Sequence, residues 1–333
     1  MKRVAVDVMS GDRGVEEAVA GAVEAARRGW AEVVLVGRPE AIEPCLDASA
    51  RTLPISIEPA ADVIGMDEHP VAAVRSKRDA SVVVACRLVR DGQVDAAVSP
   101  GNTGATLAAA LFVVGRLPGV ERPALPVLLP TGPRPSLLLD VGANVDVRPA
   151  HLVDFGRMGS LYMERVVGVA RPRVGLLNIG EEETKGNRQV QEAYPLFKEA
   201  ADLDFVGMVE PGQLLRGQVD VAVADGFVGN VTLKVLEGLA EVLFSRLKAE
   251  LRRGLATQIG AALVAPRLKA LAKSLDYAEY GAVPLLGAQG PVLVAHGRSN
   301  ARALANAVRS AATIAASGLW PALKERFGTR KDG

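Results

Sequence analysis

Short, almost wholly apolar runs alternate along this chain with longer stretches in which apolar residues return every three to four positions. The short runs predict strands over residues 3–8, 32–36, 55–58, 96–99, 125–129, 137–140, 173–178, 205–208, 221–224 and 291–295. The periodic stretches predict helices, among them residues 15–28, 81–91, 105–114, 151–167 and 187–199. Strands without an alternating polar face are covered on both sides, and regular strand–helix alternation favours parallel pairing. The expected fold class is therefore α/β, with three α/β/α layers around a mostly parallel sheet. No low-complexity linker interrupts the pattern, so residues 1–333 are expected to form a single domain. Residues 130–135 read as a rigid turn, and residues 328–333 as a frayed tail.

Two units read almost alike: Val94-Asp95-Ala96-Ala97-Val98-Ser99-Pro100-Gly101-Asn102-Thr103-Gly104, and Val219-Asp220-Val221-Ala222-Val223-Ala224-Asp225-Gly226-Phe227-Val228-Gly229-Asn230. Each predicts a strand, a tight Gly/Asn loop and a helix. Such a loop turns backbone N–H groups and a helix N-terminus outward together, which suits an anion. Neither loop carries the lysine of a Walker motif, so a P-loop ATPase grip on phosphate is not expected.

The alternation breaks at residues 246–273. Seven basic residues (Arg246, Lys248, Arg252, Arg253, Arg267, Lys269 and Lys273) stand there against one acid, Glu250, and residues 254–266 carry no charge. Two helices joined by an apolar, basic-flanked tip are expected, forming a protruding hairpin over about residues 232–280. Two uses stay open and are compatible: packing against a second subunit, or contact with an anionic membrane surface at about 1 kcal/mol per nearby basic residue.

Composition narrows the function classes. Net charge is +1 and aromatics are 4%, so neither a basic field nor base-stacking platforms argue for nucleic acid. Cys45 and Cys86 lack CxxC spacing, and a reducing cytoplasm suits them better than a disulfide. His69, His151 and His296 have no metal-ligand spacing, so no metal is expected. G-x-S-x-G is absent, and so is any G-x-G, which removes the hydrolase elbow and the dinucleotide fingerprint. The longest uncharged run, residues 96–115, contains a Gly/Asn loop and reads as strand–loop–helix rather than a membrane span.

Ligands of parallel sheets bind outside the carboxyl ends of the strands. Six expected strand ends are rich in Gly, Asn and Asp: residues 7–12, 99–104, 140–146, 178–187, 225–230 and 296–300. Singly, such residues make turns and N-caps. Gathered at one edge, they point to a site. Lys185 follows Glu181, Glu182 and Glu183 and precedes Gly186-Asn187 at a helix start, where its charge would neutralise a phosphate. Asn102 and Asn230 carry amides able to donate to an oxyanion.

These loops, in this order, resemble the bacterial acyl-ACP:phosphate acyltransferases of phospholipid synthesis (the PlsX family). The resemblance rests on Val6-Asp7-Val8-Met9-Ser10-Gly11-Asp12, Ser76-Lys77-Arg78-Asp79-Ala80-Ser81, Ser99-Pro100-Gly101-Asn102-Thr103-Gly104-Ala105, Asp140-Val141-Gly142-Ala143-Asn144-Val145-Asp146, Gly175-Leu176-Leu177-Asn178-Ile179-Gly180, Lys185-Gly186-Asn187, Asp225-Gly226-Phe227-Val228-Gly229-Asn230-Val231, Tyr280-Gly281-Ala282-Val283-Pro284-Leu285 and Ala295-His296-Gly297. Ser10 stands where the family commonly has Gly, Arg13-Gly14-Val15 where it has His-Ala-Pro, and Pro100 where it usually has Ala.

The resemblance implies a fold similar to isopropylmalate dehydrogenases and phosphotransacetylases. It also implies formation of acyl phosphate from fatty acyl-ACP and inorganic phosphate, without a cofactor. A homodimer is implied, cytoplasmic and peripherally membrane-associated, with acyl carrier protein as partner and a membrane glycerol-3-phosphate acyltransferase as recipient. In this reading residues 1–333 are one catalytic domain. Phosphate is itself a competent nucleophile and a thiolate leaves readily, so positioning and charge stabilisation suffice. Lys185, Asn230 and Asn102 are the catalytic candidates. Gly11, Asp12, Gly101, Thr103, Gly104, Asn144, Asn187, Asp225, Gly226, Gly229 and His296 are the phosphate or substrate contacts. Asp7 is a further candidate, for orienting the lysine or for structure. Arg75, Lys77, Arg78, Arg87, Arg90, Arg252 and Arg253 are candidate contacts for an acidic carrier. Competing readings are a CoA-dependent phosphotransacylase, a dehydrogenase of similar fold, and a non-enzymatic membrane-surface scaffold.

Overall fold

The computed structural model describes residues 1–132, 134–274 and 281–328. Pro133 of the expected turn, residues 275–280 of the expected hairpin (with the motif residue Tyr280) and the tail 329–333 lie outside the described residues.

The strands are β1 (Arg3–Asp7), β2 (Glu32–Gly37), β3 (Ile55–Pro59), β4 (Ala96–Ser99), β5 (Pro126–Leu129), β6 (Ser136–Leu139), β7 (Arg173–Leu177), β8 (Asp204–Val209), β9 (Val221–Val223), β10 (Ala282–Pro284) and β11 (Val292–Ala295). The helices are α1 (Gly14–Arg27), α2 (Pro39–Ile42), α3 (Pro70–Ser76), α4 (Ser81–Arg90), α5 (Thr103–Ala109), α6 (Pro149–Tyr162), α7 (Arg188–Glu199), α8 (Pro211–Leu215), α9 (Gly226–Leu251), α10 (Leu255–Ser274), α11 (Ala301–Ala316) and α12 (Leu319–Gly328). α5 and α6 each run on into a wider π turn, Ala110–Val114 and Met163–Val167. Each of the ten expected strands is present within one residue of its expected ends, and β10 is an addition.

The expected mostly parallel sheet is built as two. One has the order β10-β11-β4-β1-β2-β3 and the other β5-β6-β9-β7-β8. All pairings are parallel except β10 with β11 and β5 with β6. The antiparallel edges meet at a seam, where Ala124 and Leu286 exchange both backbone hydrogen bonds at 2.9 Å. That exchange satisfies backbone groups at both sheet edges.

Apolar side chains cover both faces. Val4 and Val6 of β1 join one core with Leu137 and Leu139 of β6, beneath α1, α6, α11 and α12. Ala5 of the same β1 belongs to a second core under α3, α4 and α5. Leu138 and Ala222 face a third, smaller core closed by Leu214 of α8 and Leu233 and Leu236 of α9. The alternation of Val4, Ala5 and Val6 between cores is the two-residue period of a strand buried on both sides. α1 reaches α11 through Gly21, where a Cβ would lie 2.9 Å from the Leu304 Cβ. Only glycine allows that approach.

The paired sequence units occupy equivalent places. β4 lies between β11 and β1, and β9 between β6 and β7. Asp95, just before β4, accepts the Arg3 N–H at 2.8 Å, and Asp220, just before β9, accepts the Arg173 N–H at 2.8 Å. Each aspartate ties down the amino end of the strand beside it.

At 1.5 Å per residue, α9 extends roughly 39 Å. Its first turn is buried at Gly226 and Gly229. Beyond it, Val231, Val235, Leu239, Leu243 and Leu247, four residues apart, stand 42% to 62% exposed. α10 returns beside it, completing the expected hairpin. The connection differs from expectation. Residues 252–254 make the turn, with Gly254 at φ +80°, and the uncharged segment expected as a tip is already helical from Leu255. A single glycine in the left-handed region reverses the chain, and the residues after it are mostly good helix formers, with Gly260 tolerated inside α10. Among the described residues no helix is long and apolar enough to cross a membrane.

Candidate functional site

Parallel pairing within each sheet sets the ends of β1, β4 and β11 at one edge, and the ends of β6, β7 and β9 at another. The six Gly/Asn/Asp-rich loops leave from those ends. Their contacts fall into two groups.

In the first, Asp7 is fully buried and accepts the Ser99 hydroxyl at 2.7 Å and the Met9 N–H at 3.1 Å. Ser99 in turn accepts the Gly101 N–H at 3.2 Å. A Cβ on Gly101 would lie 2.6 Å from Ser10 Cβ, and one on Gly11 3.3 Å from Pro100 Cγ, so each loop sets a bare glycine backbone against a side chain of the other. The Asp12 N–H donates to Gly297 O at 2.9 Å, which draws the β11 loop into the group. The Asp12 carboxylate is exposed, and His296 Nδ1 accepts the Arg298 N–H at 3.1 Å. Asn102 caps α5, its oxygen accepting the Ala105 N–H at 3.1 Å. Its amide donates to Met66 O at 3.0 Å and points at Gly65 O and Glu68 O. Both ends of Asn102 are therefore engaged within the protein. The N–H groups of Thr103 and Gly104, the first two of α5, have no acceptor among the described residues.

The second group forms around Asp140, fully buried at the end of β6. Its carboxylate accepts the N–H groups of Leu125 (2.9 Å), Gly142 (3.2 Å), Ala143 (3.0 Å) and Asn144 (2.8 Å), and the Asn144 amide at 3.0 Å. Burial pushes this carboxyl up from its ordinary value, against the pull of those donors. The first turn of α9 seats on the loop. The Gly226 N–H donates to Asn144 O at 2.8 Å, and a Cβ on Gly229 would overlap the Asp140 carbonyl oxygen. Asp225 caps α9, accepting the N–H groups of Phe227 (3.0 Å) and Val228 (2.8 Å). The backbone donors of residues 226–229 are thus already bonded inside the protein, leaving side chains as the groups this turn presents. Asn230 is exposed, and its amide nitrogen lies 3.0 Å from where a Gly142 Cβ would be.

The β7 loop belongs to this edge. Asn178 is buried and donates to Gly180 O at 3.0 Å, and Gly186, at φ +93°, leaves room for the Asn178 carbonyl. Asn187 caps α7 through the Val190 N–H at 2.9 Å. Lys185 is exposed and forms no ion pair among the described residues. Two of its three acidic neighbours are held elsewhere, while the third, Glu182, stays beside it at Gly180. Glu183 accepts the Tyr194 hydroxyl at 2.8 Å and lies 3.4 Å from Lys198, while Glu181 accepts the Gln213 amide at 2.8 Å. The Tyr194 hydrogen bond, then Lys198, hold Glu183 below the usual carboxylate range.

Of the candidate carrier contacts, Lys77 pairs with Glu68 at 2.6 Å, Arg87 with Asp79, Arg90 with Asp91 and Arg253 with Glu250. Arg75 lies over the exposed Phe112 ring at 5.2 Å. A cleft of about 700 Å³ opens beside the β6 loop, lined by Arg116, Arg122, Arg148, Asp146, Glu121 and His151. Sequence reasoning missed Asp140 as the centre of its loop. The signal available was an aspartate directly after an apolar run, Leu137-Leu138-Leu139, as Asp7 follows Val4-Ala5-Val6.

The sequence matches the family described as "Fatty acid synthesis protein" over residues 2–320. A phosphate acyltransferase of Desulforudis audaxviator is 53% identical over 310 residues, covering 93% of this chain and 91% of that protein. One of Heliobacterium modesticaldum is 51% identical over 312 residues, covering 93% and 92%. Among solved structures, a phosphotransacetylase from Streptococcus pyogenes superposes with a TM-score of 0.60 at 18% identity, covering 94% of each chain. A branched-chain phosphotransacylase from Enterococcus faecalis gives 0.58 at 14%, covering 94% and 99%. At those identities the likeness concerns the fold.

Proposed function

Because the chain belongs to the fatty acid synthesis protein family, whose close relatives here are phosphate acyltransferases, we propose that it is an acyltransferase moving a fatty acyl group from acyl carrier protein to inorganic phosphate. A phosphate oxygen attacks the thioester carbonyl carbon, and the tetrahedral intermediate collapses with cleavage of the C–S bond. The products are acyl phosphate and the carrier thiolate, whose reference pKa of about 8.5 makes it a ready leaving group.

The observation that carries this reading is how charge is spent at the strand ends. The carboxylates of Asp7, Asp140 and Asp225, which would repel phosphate, are buried and bonded to their own loops. Among the groups left outward, beside the exposed carboxylates of Asp12, Asp146, Glu181, Glu182 and Glu183, are the donors a phosphate needs: the Lys185 ammonium, the Asn230 amide, and the N–H groups of Thr103 and Gly104. In this reading Lys185 neutralises phosphate, with the start of α5 as its cradle. Asn230 stabilises the oxyanion, and Asn102 shapes the cradle by holding residues 65–68. The oxygens of Asn102, Asp225 and Asn187 act as helix caps, Asp12 and Gly11 hold the first group of loops together, and His296 braces the turn of its own loop.

The reading extends to assembly. Two copies pair through the exposed apolar stripe of α9. The uncharged run after Arg252 and Arg253 touches an anionic membrane, where a glycerol-3-phosphate acyltransferase takes up the product. Residues 1–333 then serve as one catalytic domain.

The test follows free thiol released from acyl carrier protein thioester, with and without phosphate, alongside the CoA thioester. Phosphate-dependent release from the carrier, lowered about 10²–10³-fold in folded Lys185→Ala and Asn230→Ala, is expected. Faster turnover of the CoA thioester assigns the other carrier. Undiminished turnover in both variants removes the residue assignments.

A further inference from the structure

We propose that Asp140 is a positioning residue for this reaction, its carboxylate folding residues 140–144 into the seat that fixes the Asn230 amide. This rests on reading Asn230 as the oxyanion donor. Three observations carry it. Both carboxylate oxygens are used: one takes the N–H groups of Leu125, Gly142 and Ala143, the other the backbone and side-chain N–H groups of Asn144. Five donors and, among the described residues, no acceptor surround the group, so the ionised form is the one the loop is built for. The seat also touches α9 at three points. Asn144 O accepts the Gly226 N–H, Gly229 packs on the Asp140 carbonyl, and Gly142 faces the Asn230 amide nitrogen with nothing between. Finally, Asp140 is fully buried, so any effect it has on substrate is transmitted through that seat.

Asp140→Asn tests this with almost no change of shape. The amide presents one oxygen and one NH2 group. Either orientation sets that NH2 against N–H donors, and the orientation displacing fewer of them releases Asn144. The seat under Gly226 and Asn230 then loosens. A displacement of about 1 Å at a reacting group costs on the order of 10²-fold in rate, so kcat is expected to fall by about that factor. The decisive readout is the same substitution in an Asn230→Ala background, where there is no amide left to misplace and the further loss is expected to be within about twofold. Gly142→Ala gives a second handle that leaves the carboxylate alone. Its methyl would sit at φ +139°, 3.0 Å from the Asn230 amide nitrogen. It should lower kcat in the parent, and far less in the Asn230→Ala background. A full 10²-fold loss that persists in that background, for both substitutions, makes Asp140 merely structural and overturns this inference alone. Unchanged turnover in Asn230→Ala by itself overturns the oxyanion assignment, and this inference with it.

Discussion

Replacing Asp225 by alanine separates the cap of α9 from the chemistry at its first turn. Asp225 is 8% exposed, and its carboxylate accepts the N–H groups of Phe227 at 3.0 Å and Val228 at 2.8 Å. Alanine leaves both donors without an acceptor at a helix start. Loss of an N-cap costs about 0.5–2 kcal/mol, and two hydrogen bonds to a charged, nearly buried oxygen place this case near the upper end. For 333 residues the unfolding entropy is about 0.7 kcal/mol/K, so a loss of about 1.5 kcal/mol lowers Tm by only about 2 °C. The protein stays folded at assay temperature. Turnover should respond far more, because Asn230 lies one turn beyond the cap, and fraying there costs on the order of 10²-fold. Asparagine caps as well as aspartate, so Asp225→Asn should keep both Tm and turnover close to the parent. Thermal denaturation and phosphate-dependent thiol release measure the two effects. Full turnover in Asp225→Ala despite the lowered Tm would remove the first turn of α9 from the site. An asparagine variant as slow as the alanine one would refute the capping argument in favour of a direct role for the charge.

Two more predictions address assembly and pH. Leu243 stands mid-stripe on α9, 57% exposed. Leu243→Glu should weaken pairing at least about 10²-fold, since each buried leucine contributes about 1.5–3 kcal/mol and the change occurs in both copies. Sedimentation at micromolar concentration should give two chains for the parent and one for the variant, and identical masses contradict pairing through this face. Asp202 bonds Arg157 of α6 at 2.8 Å and Arg326 of α12 at 2.9 Å. Burial pushes its carboxyl up, but the Arg157 hydrogen bond and charge, together with the Arg326 charge, outweigh that and hold it below its ordinary value. A carboxyl depressed on folding adds stability above its unfolded pKa of about 3.9, and that stability is lost as pH falls through the lower folded value. Asp202→Asn should therefore lower Tm at pH 7, with the gap to the parent steady to about pH 5 and closing below it. A gap that widens on acidification contradicts the ion-pair account.

The central strands were legible because both faces are buried, which writes each as a continuous apolar run such as Val-Ala-Val in β1. β10 escaped notice because three residues ending in proline carry no such signal. The division into two sheets was not legible either. The two sheets meet through a backbone exchange at Ala124 and Leu286, which any residue but proline could make, so no residue type marks the seam. At the site, the six loops could be read, but not the use of each polar group. Asn102 and Asn230 look alike in their motifs, yet aligning the two units sets Asn102 opposite Phe227. The helix of the first unit is capped by Asn102 and that of the second by Asp225. One asparagine is therefore taken by its cap and by residues 65–68, and the other is left outward. Whether an N–H or a carboxylate faces its own loop or the solvent depends on φ, ψ and tertiary contact, and residue identity does not encode it.

The central claim is that phosphate attacks the thioester directly, with no acyl-enzyme. Rapid mixing of enzyme with an excess of acyl carrier protein thioester in phosphate-free buffer tests it most directly, with free thiol read over the first turnover. The account predicts no thiol release until phosphate is added, then release in step with acyl phosphate. A burst of one thiol per active site before phosphate is present would contradict it.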